Sequence, residues 1–336
     1  MVRPGQVLVL AGLLVLAGCS AGGNGSAAAT PTPTATPPLP TPTPSATAKF
    51  VPCKLPVASG DAPTDGNAAH GQPGSGGFLQ MPDAVFSKDA QSLAAYDSAA
   101  GKWLPVPRAW ISPDGTHYAW PENRAAAGPV TGIIHVIEVA TGADKPVIVP
   151  APSMPVSYEA GGIFVTRIVP NSDAPPQGLV KIDASTGSFH QITSDGSWTA
   201  LGGGFAFGGD VDPSIAPPPA SGPGAFYNRI RKLDLNTGAI TPVQSYSGSS
   251  VRVLGTIGPT PIIGVLTSGG RFQVMAPGVI YDQPAGASDP TDPTVADGTT
   301  VWFAGHQAIF KWDGSGQLSA PIPVPPALAI PAGACR

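Results

Sequence analysis

Apolar and polar residues alternate along short runs of this chain, and the runs stop at Asp-Gly or Thr-Gly pairs. Over residues 109–122 an Ala-Trp-Ile run reaches Ser112-Pro113-Asp114-Gly115 and resumes as Thr-His-Tyr-Ala-Trp. Over 134–147 an Ile-His-Val-Ile-Glu run reaches Ala140-Thr141-Gly142 and resumes towards Lys145-Pro146-Val147. A period of two marks a half-buried strand, and glycine supplies the positive φ of a tight turn. Each stretch therefore predicts two strands folded back on one another.

The second pattern recurs. An alternating strand, an acidic residue, a turn ending in Gly and another short strand stand around Asp97, Glu138, Asp183, Asp234 and Asp313. The steps between these positions are 41, 45, 51 and 79 residues, and a degenerate copy at 268–283 divides the longest. Most units carry a further strand pair upstream: "RAWISPDG" with "THYAWPE", "VSYEAGG" with "IFVTRI", "WTALGGG" with "FAFGGD", "VRVLGTIG" with "PIIGVLT", and "PTVADGT" with "TVWFAG". Four strands recurring at this interval is the period of a propeller blade. A lone four-stranded sheet leaves two faces and two edges bare, and radial packing of several such sheets covers the faces.

The Ser-Pro-Asp-Gly hairpin at Ser112–Gly115 resembles the first hairpin of a TolB-like or WD-type propeller blade. The Glu138 to Gly142 turn resembles the last hairpin of the same blades. The resemblance runs from about Gly76 to about Pro326 and implies an all-β fold: a β-propeller of six four-stranded antiparallel blades, or seven. It implies nothing definite about activity, because propellers host enzymes, receptors and scaffolds. The acidic turn residues are expected to cap backbone N–H groups, not to catalyse.

Composition narrows the picture. The chain holds 43 Gly and 42 Pro among 336 residues, much of it between the apolar runs, where it reads as turns. With a net charge of −4 and no Lys/Arg cluster, nucleic acid is not an expected partner. At the N-terminus, Arg3 precedes an apolar run from Val7 to Leu16, too short to span a bilayer as a helix. Leu16-Ala17-Gly18-Cys19 follows and resembles the bacterial lipobox, which implies removal of residues 1–18 and lipidation of Cys19. Residues 19–49 are rich in Thr-Pro and lack apolar periodicity, as a disordered spacer would. The expected organisation is a signal peptide (1–18), a lipidated spacer (19–49) and a propeller (50–336), monomeric, extracytoplasmic and anchored to the cell membrane.

The two remaining cysteines, Cys53 and Cys335, stand at the ends of the folded part. Outside the cytoplasm they would oxidise, and a propeller that places its first and last strands in one blade would bring them together.

Candidate chemistry is sparse. The long inserts at 122–132, 169–178 and 208–228 all join the second strand of a unit to the third, so one face of the disk is expected to carry them. That makes Glu122, Arg124, Asp173, Asp210 and Asp212 the candidate ligand-binding residues. Two aspartates are too few for a calcium site, so neither a metal nor a cofactor is expected. The five histidines lack close ligand spacing, and no nucleophile elbow, CxxC or phosphate-binding loop is present. The six tryptophans are expected to pack between blades. The expected function is non-enzymatic: an envelope binding or scaffold module for an unidentified protein or polysaccharide. A propeller-type glycosidase or lyase, or a sensor of a small ligand, are the alternatives.

Overall fold

The computed structural model describes residues 52–59, 74, 76–122, 131–168, 176–217, 227–276, 279–282, 295–297, 300–305, 308–312, 322–323 and 329–336. Cys19, Arg124, Asp173, Asp313, His70 and His306 lie outside them.

The strands follow the turn chemistry. β1 (Cys53–Ser59), β2 (Gly77–Met81) and β3 (Val85–Lys88) come first, then the short pair β4 (Ala95–Asp97) and β5 (Lys102–Leu104). A second group is β6 (His117–Glu122), β7 (Gly132–Glu138) and β8 (Asp144–Val149). Three groups of four follow. These are β9 (Ser153–Glu159), β10 (Gly162–Arg167), β11 (Gln177–Ile182) and β12 (Phe189–Thr193); β13 (Ser197–Gly202), β14 (Phe205–Asp210), β15 (Arg229–Asp234) and β16 (Ile240–Ser245); and β17 (Ser250–Ile257), β18 (Thr260–Leu266), β19 (Phe272–Ala276) and β20 (Val279–Asp282). The last are β21 (Val295–Asp297), β22 (Thr300–Gly305), β23 (Ala308–Trp312), β24 (Ile322–Pro323) and, after them, β25 (Ala329–Pro331).

The pairing is a propeller arrangement. Among the described residues every pair is antiparallel, and five sheets have four strands: β9 to β12, β13 to β16, β17 to β20, β21 to β24, and one ordered β25-β1-β2-β3 that joins the last strand to the first. A three-stranded sheet, β6 to β8, and the β4–β5 pair complete the set. The first strands of the successive sheets are neighbours in turn: the Arg108–Ile111 segment meets β9, β9 meets β13, β13 meets β17, and β17 meets β21. β22 then meets β25, and β25 pairs with β1. The order runs round and returns to its start.

Side-chain alternation explains why the sheets stack. Within β10, Ile163 and Val165 pack back against Ile134 and Val136 of the preceding sheet, whereas Phe164 between them packs forward against Trp198. β14 repeats this: Ala206 joins Trp198 and Leu233, and Phe207 joins Val251 and Ile263. A central strand is thus buried on both faces and reads as a continuous apolar run, as "GIFVTR" does. The expected tryptophan packing holds for Trp103, Trp110, Trp198, Trp302 and Trp312, all buried.

The acidic turns also behave as expected. Asp183 Oδ1 accepts the N–H groups of Ser185 and Thr186, each at 2.8 Å, and Asp234 Oδ1 accepts those of Asn236 and Thr237 at 2.9 and 3.0 Å. Gly187 (φ 76°) and Gly238 (φ 72°) close the two turns in the left-handed region. Glu138 is one methylene longer and caps the Thr141 hydroxyl instead, at 2.6 Å.

The described residues give five complete four-stranded blades. Two expectations need correction. "RAWI" is not a strand: Pro107 fixes its backbone and accepts the Trp110 N–H at 2.9 Å, so Arg108–Trp110 winds into a 3-10 turn. Only a single bridge, Ile111 to Tyr118, remains of the expected pairing. Finally, the unit around Asp97 is not the end of the first blade. That blade is built from residues 53–88 and the C-terminal strand.

The ring closes covalently. Cys53 and Cys335 form a disulfide, with Cα atoms 5.6 Å apart and a sequence separation of 282. Beside it Lys54 and Arg336 exchange backbone hydrogen bonds of 2.8 and 3.2 Å.

Candidate functional site

Three places gather chemistry. The first lies under the third long insert. β14 and β15 place Asp210 directly opposite Arg229, and the two side chains form an ion pair. Arg231 Nε lies 3.3 Å from the same carboxylate, and Arg229 Nη1 lies 3.6 Å from Asp212. Asp212 accepts the Ser214 hydroxyl (2.6 Å) and N–H (3.0 Å) and the Ser245 hydroxyl (2.9 Å), which hold its carboxyl below the usual range. Asn228 is fully buried. Its Oδ1 accepts the Asp212 N–H at 2.6 Å, and its amide donates to the Asp212 and Ala216 carbonyls. Asp210 and Asp212 are therefore neutralised by arginines and tied into a rigid base for the insert.

Glu122 stands at the root of another insert. It meets His135 Nε2 at 3.0 Å, while Asp144 meets Nδ1 at 2.8 Å. Glu122 ends β6, the first strand of its sheet, and Asp210 ends β14, the second strand of its own. His117 and His135 sit on adjacent strands but pair with Glu138 and Trp120 in register, not with each other. Among the described residues no group of three or more His, Cys, Asp or Glu could hold a metal ion.

The second place is a cleft of about 390 Å³ between the β6–β8 and β9–β12 sheets, at the short-turn end. Its carboxylates are Asp114, Glu159 and Asp183. Asp114 accepts the Ser112 hydroxyl (2.6 Å), the Thr116 N–H (3.1 Å) and the Thr116 hydroxyl (2.8 Å), which bring its carboxyl down to about 2. The Ser185 hydroxyl and the turn N–H groups do the same for Asp183. Both are firmly ionised. Neither is suited to act as a general acid at neutral pH, although either could act as an electrostatic stabiliser.

The third place is a cavity of about 650 Å³ walled by the Arg108–Ile111 turn and strands β9, β13 and β17. It is the inner space around which the first strands stand. Trp110, Tyr158, Trp198 and Tyr227 supply aromatic wall, and Arg108 and Arg252 are the only charged residues among the described lining. Asp97, buried, sets Arg108 with a 3.6 Å contact to Nη1. Arg252 stands 5.3 Å above the Phe272 ring. Glycine at 264 makes room for that ring, since a Cβ there would come within 2.6 Å of it. Burial, and the charge of Asp114, raise the Tyr158 hydroxyl above its ordinary value.

Sequence reasoning missed this cavity. Its residues come as short runs from separate inner strands, Met154–Tyr158, Trp198–Leu201 and Arg252–Thr256. The one available signal was Arg252, the lone charge in an otherwise apolar strand, "SVRVLGTI".

No protein-family model matches the chain, and no curated protein matches it significantly. Solved structures similar to it include the β-propeller domain of the Trilobed protease from Pyrococcus furiosus, at 12% identity and TM-score 0.41, covering 74% of this chain and 77% of that one. Another is an acylaminoacyl peptidase from Pyrococcus horikoshii, at 11% identity and TM-score 0.41, covering 73% of this chain but only 40% of the peptidase. A third is a gluconolactonase from Xanthomonas campestris, at 12% identity and TM-score 0.33, covering 86% and 90%. The expectation of a non-enzymatic chain, drawn from missing motifs, does not stand against these neighbours, which are a protease, a peptidase and a gluconolactonase. At such identities and TM-scores the likeness assigns no activity.

Proposed function

We propose that the chain is a lipid-anchored, extracytoplasmic propeller that captures a protein or polysaccharide partner of the cell envelope on the face carrying its long inserts. The β6–β8 sheet, with Ile111 as the remnant of its first strand, is read here as a sixth blade. The observation that carries the binding role is the buttress under the third insert. Asn228, Asp210, Asp212, Arg229 and Arg231 are tied together where a surface loop alone needs no such base. Rigid scaffolds that present variable loops are a common design for recognition. The terminal disulfide supports an oxidising compartment, and the lipobox-like segment supports the anchor.

The test replaces residues 218–226 with a short Gly-Ser linker in the full-length protein and compares cross-linked partners in native envelopes. The proposal expects an unchanged melting temperature and loss of a partner that the parent retains. Retention of every partner by the replaced protein would remove the insert face from the account.

A second reading, catalysis in the 390 Å³ cleft, is favoured by the convergence of Asp114, Glu159 and Asp183 on one space. Two suitably separated carboxylates are what most glycosidases use. Turnover of aryl glycosides that disappears in Asp183→Asn would establish it.

A further inference from the structure

We propose that the central cavity is a binding site for a small organic anion with an aromatic or apolar body. This goes beyond the insert-face reading and is independent of it. Three observations converge. The cavity's volume of about 650 Å³ lies within the range of small-molecule sites, roughly 300–1,000 Å³. Its described wall is mostly apolar and includes four aromatic rings. The charged residues of the described lining are Arg108 and Arg252.

Both guanidiniums are held in place. Arg108 uses Nη1 for its contacts with Asp97, at 3.6 Å, and with the Ile111 carbonyl, at 3.5 Å. A guanidinium carries five N–H donors, so this orientation leaves it donors for a ligand. Arg252 is supported from below by Phe272 at 5.3 Å. Cations set in low-dielectric walls attract anions more strongly than the same cations in water, and planar guanidinium favours carboxylate, sulfonate or phosphate oxygens. The rings receive the rest of the ligand.

The probe is 1-anilinonaphthalene-8-sulfonate, compared with N-phenyl-1-naphthylamine, which has the same rings without the charge. The full chain should bind one sulfonate probe in a saturable, salt-sensitive manner and bind the neutral probe more weakly. Arg252→Gln and Arg108→Gln should each weaken the sulfonate about tenfold, the scale of a lost charge-assisted contact, and leave the neutral probe unchanged. Arg252→Lys should recover part of the loss. Arg271→Gln, at an exposed guanidinium just before β19, should change nothing. Near-ultraviolet dichroism shows whether each variant is folded. If one arginine variant fails to fold, the other variant and the salt dependence of the parent decide. Equal binding of both probes, or sulfonate affinity indifferent to both arginines, overturns the proposal. Replacing residues 218–226 should leave sulfonate binding intact, so failure here and failure of the insert-face reading are told apart.

Discussion

Cys335→Ser is expected to lower the melting temperature by about 10 °C under non-reducing conditions, and treatment of the parent with reductant should do the same. The Cys53–Cys335 bridge spans 282 residues. By the chain-entropy relation, a loop of that size removes about 5 kcal/mol from the unfolded ensemble, and a domain of this size loses about 2 °C per kcal/mol. The native contacts around the bridge stay in place, because β25 remains paired with β1 and the Lys54–Arg336 hydrogen bonds do not involve sulfur. The effect should therefore appear mainly as easier unfolding, with little change in near-ultraviolet dichroism. A shift under 2 °C would mean that the closure owes little to the bridge.

The second large effect is expected in the seam that the bridge fastens. Trp302 on β22 is only 2% exposed. It packs with Leu55, Val57, Leu79 and Met81 of the first sheet and with Ile309 and Ile322 of the last. Trp302→Ala should cost about 3–5 kcal/mol in urea unfolding, through lost transfer energy and the cavity left between two sheets. Val301, its neighbour in sequence, faces the opposite way, towards Leu254 and Phe272. The two residues thus glue different seams, and only the first joins the ends of the chain. A cost under 1 kcal/mol for Trp302→Ala would mean that first and last sheets are not packed as described.

The repeating part of the fold was legible because its turns are local. Asp183 with Gly187 and Asp234 with Gly238 need only their own few residues to close, so the chemistry of each is written in one short stretch. Ring closure was legible from the cysteines, since two thiols at the ends of a closed ring have few other places to be. The first blade was not. Its strands "CKLPVAS" and "GFLQM" carry no repeat turn between them, and the fourth strand comes from the far end of the chain. The Arg108–Trp110 turn was hidden because apolar alternation reads the same whether Pro107 permits a strand or not.

The candidate site divides along the same line. Asp210 and Asp212 were visible as a pair on a long insert, but their partners Arg229 and Arg231 lie across a strand pair, so the ion-paired cluster they form was not. The cavity residues were invisible for a related reason. Tyr158, Trp198 and Arg252 each look like an ordinary strand residue alone, and they become a site only when neighbouring blades stand side by side.

The most direct test of the whole account is a tryptic digest of the protein, purified from its native compartment and kept from reductant. Ring closure requires residues 50–54 to be recovered joined to residues 312–336 through one disulfide. Recovery of both peptides with free or separately blocked thiols would contradict it.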